Sequence, residues 1–157
     1  MTSWQEVEAE APELAARARE IFDAHKHKTL ATLRRDGSPR ISGTEMDFGD
    51  GEIWIGSMWK AVKALDLQRD PRFALHSGSV PPPEWSADAK IAGRMEEVTD
   101  PDQKDARRGD DTPPGPWHLF RADITELVVT GVAGDPPDRL VIESWHAGRG
   151  LRRRERR

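Results

Sequence analysis

Apolar and polar residues alternate with a period of two along most of the chain, which is typical of strands with one buried face. The first such run begins at Lys28, where Leu30 and Thr32 share one face and Ala31 and Leu33 share the other. The same pattern predicts further strands over residues 40–47, 52–57, 72–77, 88–98, 117–132 and 140–145.

Two other segments are predicted to be helices. Pro12 suits the first turn of a helix, and Leu14 and Phe22 belong to an apolar stripe, which together predict a helix over 12–25. A short second helix over 60–69 follows the third strand and ends where a proline stops it.

Turn residues separate the strands and predict antiparallel hairpins. Asp36-Gly37 is a strong hairpin signal, and glycine, aspartate and proline are concentrated in the loops at 78–86 and 100–116. Six or seven antiparallel strands with two helices predict a mainly β fold, and a β-barrel rather than a doubly wound sheet. We expect one domain over 1–157, with flexible ends at residues 1–11 and 150–157.

Composition narrows the range of possible functions. The net charge of −4 argues against a nucleic-acid binder, and the absence of cysteine excludes disulfides, thiolate metal sites and thiol nucleophiles. No apolar run is long enough for a membrane span, so we expect a cytoplasmic protein. The five histidines have no metal-ligand spacing, and no Ser-His-Asp arrangement is apparent. The sequence therefore predicts no metal site and no catalytic side chain.

One segment, residues 56–72, combines the features of an anion site. The strand over 52–57 ends at the hydroxyl residue Ser57, and the helix that follows carries Lys60 and Lys63 near its start. The first backbone N–H groups of a helix lack partners and the helix dipole favours an anion there, while lysine adds a positive charge. This arrangement predicts a bound phosphate ester, most plausibly on a cofactor.

The basic C-terminal run at residues 149–157 allows a different interpretation. Such a run is able to bind nucleic acid or an acidic membrane surface. It is one short cluster on an acidic protein and contains no interleaved aromatic residues. We therefore expect a solvated end, with neither nucleic acid nor membrane as a partner.

An ordered series of short motifs extends from about residue 28 to residue 77. In order they are Leu30-Ala31-Thr32-Leu33, Asp36-Gly37-Ser38-Pro39-Arg40, Ile53-Trp54-Ile55-Gly56-Ser57, Lys63, Asp66-Leu67 and Arg69-Asp70-Pro71-Arg72. Weaker matches follow at 88–98 and at Glu143-Ser144-Trp145-His146 with Arg152. This order resembles the pyridoxamine 5'-phosphate oxidase-like proteins, whose fold is an FMN-binding split barrel.

The resemblance implies a site for the flavin phosphate. Lys63, eight residues before Pro71, matches the phosphate-binding lysine of the family. Ser57 matches a hydroxyl position that contacts the phosphate, and Arg40 matches an arginine that reaches it. Lys60 is expected to be solvated or a secondary anion contact.

The resemblance also implies where the flavin ring lies. Ile41, Ser42 and Gly43 match the strand whose backbone runs along the isoalloxazine. Trp145 and Arg152 resemble a C-terminal tryptophan and arginine at the edge of the cofactor or substrate. Family members are usually homodimers in which both subunits build each flavin site.

Tryptophan supplies much of the large apolar surface, since the chain has six Trp, four Phe and no Tyr. Trp54, Trp59 and Trp145 are more typical of a core or a dimer interface than of ring stacking. Trp59 is the best aromatic candidate for the cofactor side, because it lies beside the proposed phosphate segment.

Two departures from the family pattern leave the ligand open. Glu45 stands where the oxidase has a lysine on the second strand, and Val62 replaces the usual arginine before Lys63. Pyridoxamine-phosphate oxidation is therefore not supported. The resemblance implies an FMN-dependent oxidoreductase acting on a small molecule that the sequence does not identify. The alternatives are a deazaflavin-dependent reductase and a non-enzymatic protein that binds or senses a flavin or haem.

Overall fold

The computed structural model of the protein describes residues 1–157 and contains four helices and nine strands. In chain order these are α1 (Trp4–Glu10), α2 (Pro12–Asp23), β1 (Lys28–Leu33), β2 (Pro39–Thr44), β3 (Asp47–Gly49), β4 (Glu52–Met58), α3 (Val62–Arg69), β5 (Arg72–His76), β6 (Ala87–Glu97), α4 (Pro101–Arg107), β7 (Trp117–Ala133), β8 (Arg139–His146) and β9 (Gly150–Arg156).

All nine strands belong to one antiparallel sheet that branches at the long strand β7. One edge of β7 pairs with β6. The other edge is divided, because its first part pairs with β4 and its last part pairs with β8. The path β2-β1-β5-β6-β7 therefore continues both into β4-β3 and into β8-β9. The mainly β antiparallel fold predicted from the alternation is confirmed.

Tight local constraints set the strand register at two places in the sheet. In the β1–β2 hairpin, Asp36 accepts hydrogen bonds from the backbone and hydroxyl of Ser38 through Oδ1, and Gly37 has a φ of 84°. In β6 the register shifts at Gly93, where a Cβ would lie 1.9 Å from the carbonyl oxygen of Asp123. A side chain at that position would force the bulge apart.

The hydrophobic core lies between the inner face of the sheet and the two N-terminal helices. Trp4 of α1 and Phe22 of α2 are fully buried, and the ring centroids of Trp4 and Phe48 are 4.9 Å apart. Ser3 caps α1 with a capping box closed by Glu6. None of the four helices is both long and apolar enough to cross a membrane.

The two ends expected to be flexible, residues 1–11 and 150–157, contain regular secondary structure. The first of these segments forms α1, whose Trp4 and Val7 are buried in the core. The second forms β9, which pairs with β8 along its whole length although nearly all of its side chains are exposed. The sequence predicts six or seven strands, and the short β3 and the C-terminal β9 bring the observed number to nine.

Candidate functional site

Lys63 lies in the first turn of α3, beside the second strand. Its Nζ donates a hydrogen bond to the carbonyl oxygen of Gly43 at 3.0 Å, and this is the only bond its ammonium makes. Burial lowers the pKa of Lys63, and the nearby carboxylate of Glu45 opposes that shift. A half-buried ammonium with one carbonyl partner retains donors for an anion.

The free edge of β2 lies next to this lysine. β2 pairs only with β1, so its other edge is open. Ile41 is 74% exposed, Ser42 is half-buried, and a Cβ added to Gly43 would meet no atom within 4 Å. Lys63 already occupies the Gly43 carbonyl, but the edge leaves space for a flat group. The residues present fit a flavin ring along β2 with its phosphate at Lys63.

Arg40 opens β2 and is held by a buried acid on α3. Its Nε donates to Oδ2 of Asp66 at 2.7 Å, and Thr32 donates to the same oxygen at 2.8 Å. Arg69 donates to Oδ1 of Asp66 at 3.0 Å and to the carbonyl of Leu33 at 2.6 Å. Burial raises the pKa of Asp66, but these three hydrogen bonds outweigh it and hold the pKa below its ordinary value.

The loop between β4 and α3 is organised by a buried histidine. Lys60 has a φ of 60°, in the left-handed region, and its backbone N–H donates to Nε2 of His118 at 3.1 Å. Trp59 stacks on the same imidazole, with ring centroids 4.7 Å apart. Ser57 is buried, and its Oγ lies 3.5 Å from the carbonyl of Met58. The loop therefore holds Lys60 near the start of α3, while Ser57 lies at the end of β4 and is buried.

A basic groove adjoins Arg40 on the side of the hairpin. Its volume is about 540 Å³. Four arginines and two aspartates dominate its wall, which gives the lining an excess of positive charge. The lining residues are Arg34, Arg35, Asp36, Arg40, Val62, Leu65, Asp66 and Arg69.

Two of the residues that the resemblance assigns to the cofactor site, Trp145 and Arg152, lie on β8 and β9 instead of on β2 or α3. Trp145 is fully buried in the core, where its indole Nε1 donates to Glu10 at 2.7 Å. Arg152 is exposed on β9, opposite Ser144 of β8. Within one chain β9 pairs only with β8, and no strand pairing joins it to β2. The structure thus gathers Arg40, Ile41, Ser42, Gly43, Ser57, Trp59, Lys60 and Lys63 around β2 and the start of α3.

Sequence reasoning did not identify two residues that organise this site. In the sequence Asp66 stands out only as part of a motif, and His118 is one of five scattered histidines. Neither has a local signal, because their partners Arg40 and Lys60 are 26 and 58 residues away in the chain. No group of three or more His, Cys, Asp or Glu side chains is placed to hold a metal ion.

Comparison with known families identifies the family to which this chain belongs. The sequence profile of the family described as pyridoxamine 5'-phosphate oxidase matches residues 14–127, more than half of the chain. The chain belongs to the pyridoxamine 5'-phosphate oxidase-like family of FMN-binding split barrels. The matched region contains β1, β2, β4 and α3, the elements that carry the candidate site. No curated protein sequence gives a significant match.

Solved structures of similar shape confirm the split-barrel fold of the family. A pyridoxamine 5'-phosphate oxidase-related, FMN-binding protein from Nostoc punctiforme has a TM-score of 0.61 at 15% identity, with 100% of this chain and 98% of that chain covered. General stress protein 26 from Bacillus anthracis has a TM-score of 0.60 at 14% identity, covering 73% and 91%. A conserved hypothetical protein from Mycobacterium tuberculosis has a TM-score of 0.60 at 21% identity, covering 71% and 81%. At these identities the likeness extends to the fold alone.

Both departures from the pyridoxamine 5'-phosphate oxidase pattern lie at the edges of the site. Glu45 is half-exposed just beyond Gly43, and its Oε1 is 3.6 Å from Nζ of Lys26 and 3.8 Å from Nε2 of His27. Val62 lines the basic groove and leaves Lys63 as the cation at the start of α3. The carboxylate of Glu45 is also close enough to Lys63 to act on its pKa.

Proposed function

We propose that this protein binds FMN between β2 and α3 and works as an FMN-dependent oxidoreductase on a small molecule. The observation that carries this proposal is the half-buried ammonium of Lys63, which lies beside the open edge of β2 with a single carbonyl partner. Membership of an FMN-binding family supports the same assignment.

In this proposal the cation pair Lys63 and Arg40 holds the flavin phosphate, with Ser57 as an additional donor. The backbone from Ile41 to Gly43 lies along the ring and sets its hydrogen bonding. Lys60 and Trp59 border the phosphate end of the pocket. Bound FMN supplies hydride or single-electron transfer, while the chain contributes position, charge and access.

We also propose that two copies of the chain form a homodimer with the cofactor site at their interface. Large apolar side chains are unusually exposed around the site: Ile41 is 74%, Met58 is 68% and Val62 is 53% exposed. An apolar surface next to a ligand site is typical of a protein–protein interface. Sedimentation velocity on the purified chain tests this, and Ile41→Asp is expected to shift a dimer toward monomer. A parent protein that sediments as a monomer across the micromolar range would refute the dimer.

The basic groove favours one alternative cofactor. A deazaflavin coenzyme carries a long acidic tail, and the groove beside Arg40 adds Arg34, Arg35 and Arg69 to the proposed phosphate site. Positive charge beyond a single phosphate-binding pair suits a ligand with several negative charges. A third possibility is a protein that binds a flavin or haem without turnover.

Spectroscopy and titration separate these possibilities. We expect freshly purified protein to have a flavin absorbance spectrum, or the apoprotein to quench FMN fluorescence on binding. Tighter binding of the deazaflavin than of FMN would favour the reductase. Binding of FMN without turnover with reduced nicotinamides or oxygen would favour the non-enzymatic protein. Absence of binding to either flavin would reject the proposed function.

A further inference from the structure

Asp66 is a buried carboxylate that the proposed site does not itself use. It lies on α3, its side chain is only 3% exposed, and it accepts hydrogen bonds from Thr32, Arg40 and Arg69. Removing a carboxylate from water is costly and often contributes no net stability, even when the acid is paired. A buried acid in this position therefore calls for a role beyond holding the fold together.

The geometry of the Arg40 contact is informative. Arg40 donates to Asp66 through Nε, while neither of its two terminal nitrogens has an acceptor within the chain. A hydrogen bond at Nε restrains the direction of the guanidinium, and its two terminal NH2 groups form a fork that matches a phosphate. The Arg40 side chain is one-quarter exposed, and it lines the basic groove beside the start of α3.

The same helix carries the other cation of the proposed phosphate site. Lys63 and Asp66 are three residues apart on α3, which places them on neighbouring positions of one helical face. Lys63 reaches β2 at Gly43, and Asp66 reaches β2 at Arg40. One helix thus contacts β2 at two positions, Arg40 and Gly43.

We propose that Asp66 is a positioning residue for the phosphate of the bound cofactor: it aims the free fork of Arg40 toward the anion that Lys63 binds. This inference rests on the proposed function, since it concerns the phosphate end of that site. Asp66 does not contact the cofactor and acts through Arg40.

The test compares FMN with riboflavin, which has the same ring and lacks the phosphate. The variant is Asp66→Asn, and dissociation constants are measured by quenching of flavin fluorescence. The matched control is Asp70→Asn, which removes a carboxylate that is bonded to Arg72 at the end of the same helix. For Asp66→Asn we expect FMN affinity to fall about tenfold or more, the effect of losing one charge-assisted contact. Riboflavin affinity should stay within about twofold, as should both affinities of the control.

Charge alone predicts the opposite result. Asp66→Asn removes a negative charge beside two arginines, so a purely electrostatic role would tighten FMN binding. A purely structural role would weaken FMN and riboflavin equally. Either outcome overturns the inference.

A double-mutant cycle with Arg40→Gln tests whether Asp66 acts through Arg40. In the Arg40→Gln background, Asp66→Asn should change FMN affinity by no more than about twofold, because there is no fork left to aim. A further tenfold loss of FMN affinity in that background contradicts the inference. An Arg40→Gln variant that binds FMN as tightly as the parent also contradicts it. If Asp66→Asn does not fold, the Asp66→Asn/Arg69→Gln double variant, which removes opposite charges together, takes its place.

Failure of the proposed function gives a different pattern. A parent protein that binds neither FMN nor the deazaflavin rejects the flavin site, and the role of Asp66 falls with it. A parent that binds FMN, with Asp66→Asn binding as tightly, rejects the role of Asp66 alone.

Discussion

The imidazole Nε2 of His118 lies 3.1 Å from the backbone nitrogen of Lys60 and accepts its hydrogen bond. Because Nε2 is the acceptor, the ring carries its proton on Nδ1, which donates to Glu97 at 2.6 Å. Burial raises the pKa of Glu97, but hydrogen bonds from His118 and Gln68 bring it below its ordinary value. A non-glycine residue at a φ of 60° is uncommon, and this bond holds Lys60 there.

Replacing His118 with phenylalanine tests that relationship. The His118→Phe variant keeps an aromatic ring against Trp59 but removes the acceptor for Lys60 and the donor to Glu97. We expect the free energy of unfolding to fall by about 1–3 kcal/mol, the cost of leaving buried polar groups without partners. Urea denaturation measures it, with His146→Phe on β8 as the control. Equal stability of His118→Phe and the parent would show that the loop does not depend on this bond.

Lys63→Ala tests the phosphate assignment directly. Loss of a charge-assisted contact should reduce FMN affinity by about 1.5–3 kcal/mol. Fluorescence titration of the apoprotein measures this, and Lys90→Ala, an exposed lysine on β6, is the control. An Lys63→Ala protein that binds FMN as tightly as the parent would place the phosphate elsewhere.

Acid should destabilise the protein in part through Asp66. Its pKa in the folded state lies below the ordinary value, so the unfolded chain takes up a proton first as the pH falls. The stability that this group contributes is present above about pH 4 and is lost as the pH falls toward the folded pKa. We therefore expect the free energy of unfolding of Asp66→Asn to depend less steeply on pH below about 4 than that of the parent. Urea denaturation at stepped pH measures the slope, and the exposed Asp110→Asn should retain the parental one.

The N-terminal helix should contribute substantially to stability. Trp4 is fully buried against Phe48, so Trp4→Ala is expected to cost about 3–5 kcal/mol. Thermal and urea unfolding measure the loss, with the half-buried loop residue Trp85→Ala as the comparison. If Trp4→Ala lowers the free energy of unfolding by less than Trp85→Ala does, α1 is not docked in solution.

Hydrogen exchange tests whether the arginine-rich end is a strand. In β9, residues 150–156 pair in register with β8, so alternate amides of this segment donate to β8 and should exchange slowly. Uniformly fast exchange across 150–156 would show that this segment is the solvated end that the sequence predicts.

The elements whose signal is local were predictable from the residues alone. Alternation from Lys28 onward, the Asp36-Gly37 turn and the apolar stripe of α2 each depend on neighbouring residues, and the strands lie close to where the pattern predicts them. The sequence also pointed to Ser57 and Lys63, because strand, hydroxyl and helix start follow one another directly, whereas Arg40 was implied by the family resemblance. The elements at the two ends had no such signal. An acidic, alanine-rich segment and an arginine run lack a strong apolar pattern, yet α1 buries two side chains and β9 pairs through its backbone.

The side chains that hold the site in place depend on the three-dimensional path of the chain. Asp66 on α3 meets Arg40 on β2, and His118 on β7 meets Lys60 in the loop before α3, although these partners are distant in the chain. Trp145 lies in the core instead of at the site because β8 turns its indole toward Glu10. The physical reason is that a residue's secondary structure follows largely from its neighbours in sequence. The partner of a buried charge is fixed by the path of the whole sheet.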